Sequence, residues 1–217
     1  MKRALSLALA VLMTAAALLC FAGCSKETDA LIGTWEGDVN YAPLFNQMIQ
    51  SVAGEGLAEY WTVEEFRLTL VMTFRDDGTY SMTVDQNKLD TAIEQLKFKL
   101  SNGLRYFVQD LIDASSSTQT VDEFMAEKGI APDALIDQAL GQEIRDQMVA
   151  DCTFDGNYKA EDGKLYTSAG LEFSIDEGMY EIYEITQNTL TLMSVVNNGG
   201  ASFLNEAFYP ITLIRIQ

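Results

Sequence analysis

The feature that most limits the fold of this chain is a run of alternation between Glu65 and Phe74. Phe66, Leu68, Leu70, Met72 and Phe74 alternate with Arg67, Thr69, Val71 and Thr73. A period of two puts the two sets on opposite faces of an extended strand, and the apolar set marks the buried face. Asp77-Gly78 follows, and Tyr80, Met82 and Val84 then resume the alternation. Asp-Gly between two such runs is a hairpin signal, because glycine takes up positive φ at little cost. The chain is therefore committed here to an antiparallel sheet with one apolar face.

Similar runs occur at Leu31–Val39 and again beyond Cys152: Phe154 with Tyr158, then Leu165–Ser168, Glu172–Ile175, Tyr180–Thr186, Leu190–Val196 and Phe208–Ile216. Asp162-Gly163, Glu177-Gly178, Gln187-Asn188 and Asn197-Asn198-Gly199-Gly200 separate them. About eight short strands with regular turn signals predict a barrel or sandwich. Two stretches break the pattern. From Tyr41 to Trp61, Leu44, Phe45, Met48, Ile49, Val52, Leu57 and Tyr60 recur at helical spacing, with Gly54-Glu55-Gly56 predicted to break the helix. Residues 86–150 form a helical block. Leu89, Ile93, Leu96, Leu100, Leu104, Phe107 and Leu111 make one apolar stripe. Thr120 with Glu123 matches a capping box. Ala131-Pro132-Asp133 opens a further helix with Leu135, Ile136, Leu140, Ile144 and Met148 on its apolar face.

The N-terminus is set apart from the fold. Lys2 and Arg3 precede an uncharged stretch from Ala4 to Gly23, and Phe21-Ala22-Gly23-Cys24 leads into polar Ser25-Lys26-Glu27. This resembles a bacterial lipobox, although Phe21 stands where leucine is usual. The resemblance implies cleavage after residue 23 and a diacylglyceryl group on Cys24. Two acyl chains suffice for stable membrane attachment. The alternative is an uncleaved transmembrane anchor, and both place the rest of the chain outside the cytoplasm. The expected organisation is a signal peptide at 1–23, a lipidated tether at 24–30, a β domain from 31–85 and 151–217, and a helical insertion at 86–150.

The formal net charge of −18 is spread along the whole chain. Such a surface repels phosphate backbones, which excludes nucleic acid as a partner. With Cys20 lost with the leader and Cys24 lipidated, Cys152 is the one remaining thiol, and no internal disulfide is expected. Burial favours reading Cys152 as a small apolar residue.

Leu31-Ile32-Gly33-Thr34-Trp35-Glu36 resembles the Gly-x-Trp opening of the calycin superfamily, which includes lipocalins and fatty-acid-binding proteins. The resemblance implies an antiparallel barrel in which Trp35 sits on the first strand at the closed end. Arg215, late in the last strand, packs across its ring. Such a guanidinium–indole contact is worth roughly 2 kcal/mol when desolvated. The fold class expected is therefore mainly β, a calycin-like barrel with a helix after the first strand and a helical insertion, α+β overall. A different antiparallel barrel or sandwich, and another α+β fold, are the alternatives. The insertion at 86–150 departs from the family, whose strands there are joined by short hairpins.

No catalytic motif is present. The chain has no histidine, which removes serine and cysteine triads and histidine-based zinc sites. No phosphate loop or calcium loop occurs, and no cofactor or metal is expected. Asp76-Asp77-Gly78 and Asp162-Gly163 read as turns. Three functions follow as expectations. In the first, a tethered module holds a small apolar or amphipathic ligand in its barrel, lined by Phe66, Leu68, Leu70, Met72, Phe74, Tyr80 and Met82. In the second, the barrel is filled by its own side chains and the helical insertion meets an envelope protein partner. In the third, the chain is an enzyme of carboxylate-only chemistry.

Overall fold

The computed structural model describes residues 27–168, 179–196, 204 and 206–217. Eight strands are present among them: β1 (Gly33–Asn40), β2 (Arg67–Phe74), β3 (Thr79–Val84), β4 (Phe154–Glu161), β5 (Lys164–Ser168), β6 (Tyr180–Ile185), β7 (Thr189–Val196) and β8 (Ile211–Arg215). They close into a barrel in sequence order, with β8 antiparallel to β1. Helices α1 (Ala42–Val52) and α2 (Gly54–Trp61) separate β1 from β2. Helices α3 (Gln86–Ala114), α4 (Val121–Lys128), α5 (Pro132–Ala139) and α6 (Gln142–Ala150) separate β3 from β4. The fold is thus a closed antiparallel eight-stranded barrel with helices, one of the two forms that the alternation and turns allow and the one that the calycin resemblance implies. The strand expected at Glu172–Ile175 lies outside the described residues.

Packing divides the chain into two compact units. One contains the chain up to Glu36, Met72–Met82 and Phe154–Gln217; the other contains Gly37–Val71 and Thr83–Thr153. The second half of β1 and the first half of β2 therefore cluster with the helices.

In the first unit the turns follow from residue type. Gly78 has φ +80°, and the Asp77 carboxylate accepts from the Thr79 amide (2.9 Å) and hydroxyl (2.6 Å). These two bonds hold the Asp77 carboxyl below the usual range. Asp162 and Gly163 both have positive φ, 52° and 70°, the geometry of a two-residue turn whose twist matches its strands. Glu161 and Lys164 accordingly pair directly across it. Alternation then buries one face of each strand: Leu165 on β5, Leu190 and Leu192 on β7, Ile211 and Leu213 on β8. The last strand is shorter than expected, since Glu206–Phe208 forms a 3-10 turn before it.

In the second unit α1 ends at Val52 and α2 begins at Gly54, so the glycine-rich segment does break the helix. The Asn40 side chain ties this excursion together: its oxygen accepts from the amides of Ala42 (3.1 Å) and Phe66 (3.0 Å). Helix α3 begins at Asp85, whose carboxylate accepts from the amides of Asn87 and Lys88. Its buried row runs Leu89, Ile93, Leu96, Leu100, Leu104, Val108 and Ile112. The end of the expected stripe is therefore corrected: Leu111 is exposed and Phe107 only partly covered. Both continuations from Leu104 are apolar, and the neighbours decide between them. Met125, Val121 and Phe124 of α4 and Leu57 of α2 pack on the Leu104–Val108–Ile112 side. The capping box at Thr120 and Glu123 is formed, and Gly129 ends α4 with φ +66°. The single helix expected from Pro132 to Met148 is two, α5 and α6, divided at Leu140 and Gly141. Gly141 is extended there (φ −61°, ψ 175°) and, lacking a side chain, weakens any helix running through it.

Candidate functional site

The first unit brings Gly33, Trp35 and Arg215 together. Trp35 and Arg215 are direct partners in the β1–β8 ladder, and the guanidinium lies 4.0 Å from the indole centroid. The Arg215 fork is used on all sides. Nε donates to the Gln187 carbonyl (3.0 Å), and the two terminal nitrogens donate to the carbonyls of Ile32 and Ala30. The Trp35 Nε1–H donates to the Leu31 carbonyl at 2.7 Å. Gly33 explains its own place in the motif. At φ +134° an added Cβ would come within 2.7 Å of an Arg215 terminal nitrogen and 2.6 Å of the Gln217 carbonyl oxygen. A side chain at 33 would displace the guanidinium from its cradle. This cluster joins the first strand to the last and has no group suited to chemistry on a substrate.

Cys24 lies outside the described residues. Of the seven positions expected to face a ligand, Leu68, Leu70, Met72, Phe74, Tyr80 and Met82 are each 2% exposed or less. A side chain beside a void large enough for water would show accessible surface, so these six touch protein. Phe74 illustrates this within its unit, with ring centroids 6.2 Å from Tyr80 and 4.9 Å from Tyr158. Phe66 is placed differently, on the helical unit, where it packs edge-on against Tyr41 and Phe45 and borders a surface groove.

Two functional candidates escaped the sequence reading. The first is Glu181 on β6, fully buried, with its Oε2 lacking a hydrogen-bond partner among the described residues. Its Oε1 accepts from the Tyr209 hydroxyl at 3.5 Å. Burial outweighs that bond and pushes its carboxyl up to about 8. No sequence signal marks it: Glu181 shares a strand face with the buried Tyr183, while the apolar Ile182 on the other face is exposed. The second candidate is a groove of about 450 Å³ between Glu65-Phe66-Arg67 and one face of α3. Phe66 and Leu96, both buried, form its base with Ala92; Arg67, Lys88 and Lys99 border it. Arg67 and Lys99 converge on Glu65, the first through its carboxylate and the second through its carbonyl at 3.3 Å. A more apolar hollow of about 560 Å³ lies among Met48, Ile49, Trp61, Leu135 and Ile144 of the same unit.

Cys152 is fully buried, and burial first, then the charge of Asp151, pushes its thiol up to about 12. A thiol held protonated in this way is a poor nucleophile. Among the described residues no three His, Cys, Asp or Glu side chains gather as a metal site, and no helix is long and apolar enough to cross a membrane. The class that the fold defines is a closed antiparallel barrel carrying a helical insertion. Comparison with protein-family models, with curated proteins and with solved structures finds no match to this chain.

Proposed function

We propose that this chain is a lipid-anchored protein of the bacterial envelope, in which a barrel filled by its own side chains is a rigid platform and the helical insertion meets a protein partner. The observation that carries this reading is the inaccessibility of Leu68, Leu70, Met72, Phe74, Tyr80 and Met82. A ligand pocket is a lined cavity of some hundreds of Å³, whereas these six side chains present almost no surface to a water-sized probe. The leader, with its resemblance to a lipobox at Cys24, supports the address. The partner face is supported by Phe98 and Tyr106 of α3, each 69% exposed. Large aromatics of this kind are enriched at interfaces.

One observation favours the second reading, a small ligand within the barrel: the unpaired Oε2 of Glu181, a group that a bound hydroxyl or amide could satisfy.

The proposal is tested in the host by placing a photo-crosslinking amino acid at Phe98, in the unaltered chain and in Cys24→Ser. The expected result is one discrete protein adduct from the membrane fraction, with Cys24→Ser moving the chain to the soluble extracytoplasmic fraction and losing the adduct. A Cys24→Ser chain that stays in the membrane removes the lipid anchor from the account. Absence of any discrete adduct removes the partner face.

A further inference from the structure

The groove on the helical unit differs in charge from the chain as a whole. The chain carries 32 acids against 14 bases, yet the groove is bordered by Arg67, Lys88 and Lys99 with Glu65 as its single acid. Its base is apolar, formed by Phe66, Ala92 and Leu96. Local charge decides what enters. At physiological salt, charges further away than about 8 Å are largely screened, so the distant carboxylates weigh little against cations at the rim. The volume, about 450 Å³, falls within the range of small-molecule sites.

Arg67 and Lys99 both line the groove beside Glu65. Each is drawn to Glu65, one to the side chain and the other to the backbone carbonyl. Lys99 thereby crosses from α3 to the segment leading into β2, and the groove is bridged at that end. The remaining rim groups, Thr91 and Gln95, offer hydrogen bonds without charge.

We propose that this groove binds a small, soluble amphipathic organic anion, its apolar body on Phe66, Ala92 and Leu96 and its anionic group between Arg67 and Lys99. The site goes beyond the interaction role proposed above and depends on neither the lipid anchor nor the protein partner. It also moves small-molecule binding out of the barrel and onto the helical unit.

The test is isothermal titration of the full chain in phosphatidylcholine nanodiscs, with empty discs as the blank. The probe is naphthalene-1-sulfonate, and its neutral counterpart naphthalene-1-sulfonamide is the control. The sulfonate should bind at one site per chain and the sulfonamide at least about ten-fold more weakly, since charge-assisted bonds are the stronger ones. The pair Arg67→Gln and Lys99→Gln should weaken the sulfonate by about ten-fold or more and leave the sulfonamide within about two-fold. On the unaltered chain, raising sodium chloride from about 0.05 M to about 0.5 M should weaken the sulfonate several-fold, a measurement that needs no variant to fold. Equal binding of the two probes, or indifference to both the variants and the salt, overturns the proposal. Loss of sulfonate binding when phosphatidylglycerol replaces part of the disc lipid would put a membrane headgroup in the groove and overturn the assignment to a soluble anion.

Discussion

Glu181 shows how one residue sets a property of the whole fold. A glutamate in an unfolded chain titrates near about 4.3, whereas burial lifts Glu181 to about 8. Among the described residues, the titratable groups that interact with it include the phenols of Tyr209, which donates to it, and Tyr80, whose own titration its charge disturbs. Between those two pH values the folded chain holds a proton that the unfolded chain has released. Stability from this residue is therefore greatest below about pH 4.3 and is lost as pH rises toward about 8, levelling off above it. Glu181→Gln keeps the shape and stays neutral. In calorimetric melts the stability of the variant relative to the unaltered chain should rise between about pH 5 and about pH 8, by roughly 3–4 kcal/mol. A difference that does not change with pH would contradict the assignment. Gly33 and Arg215 carry the complementary lesson at this scale. The glycine is required because the guanidinium passes where its Cβ would be.

Among the elements, α3 is the most constrained. At Gly103 an added Cβ would lie 2.1 Å from the Tyr60 carbonyl oxygen and 3.2 Å from Cδ1 of Trp61. The Trp61 indole donates to the Leu100 carbonyl at 3.0 Å, one turn earlier. Alanine would gain about 1 kcal/mol of helix propensity, but overpacking against backbone costs typically 1–3 kcal/mol, occasionally more. The clash wins, because the obstructing atom is a carbonyl that cannot rotate away. Gly103→Ala should lower stability by about 2 kcal/mol, read as a denaturant midpoint; an unchanged or raised midpoint would show that α2 and α3 are not pressed together there.

The elements differ in how far the sequence reveals them, and the reason is periodicity. Phe66–Phe74 and Tyr80–Val84 carry an unbroken period of two around Asp77-Gly78, and β2 and β3 follow directly. Beyond Leu104 two adjacent helical stripes are equally apolar, so tertiary neighbours choose Val108 and Ile112 over Phe107 and Leu111. The α5–α6 break at Gly141 interrupts a stripe that remains in phase across it. On β6 both faces mix tyrosine, isoleucine and glutamate, so nothing local says that Glu181 goes inside. The groove was hidden for another reason: Arg67 comes from β2 and Lys88 and Lys99 from α3, and no short window of sequence contains them all.

For the whole molecule, a strongly acidic chain without histidine carries an extensive buried apolar core, with the Cys152 thiol inside it. The Trp35–Arg215 contact and the β1–β8 ladder bring the ends of the barrel sequence together. Six side chains expected by analogy of fold to line a ligand site are each 2% exposed or less. Under the two proposals made above, recognition is displaced from the barrel to surfaces, namely the exposed aromatics of α3 and the cationic groove. That displacement is the central claim, and xenon tests it most directly, because an empty apolar cavity takes up the gas. Crystals of the unaltered chain under xenon should show no xenon site beside Leu68, Leu70, Met72, Phe74, Tyr80 or Met82, while Leu70→Ala should create one and lose about 2–5 kcal/mol of stability. Xenon beside any of those six residues in the unaltered chain would mean that the barrel keeps a pocket, and the account of a filled platform would fail.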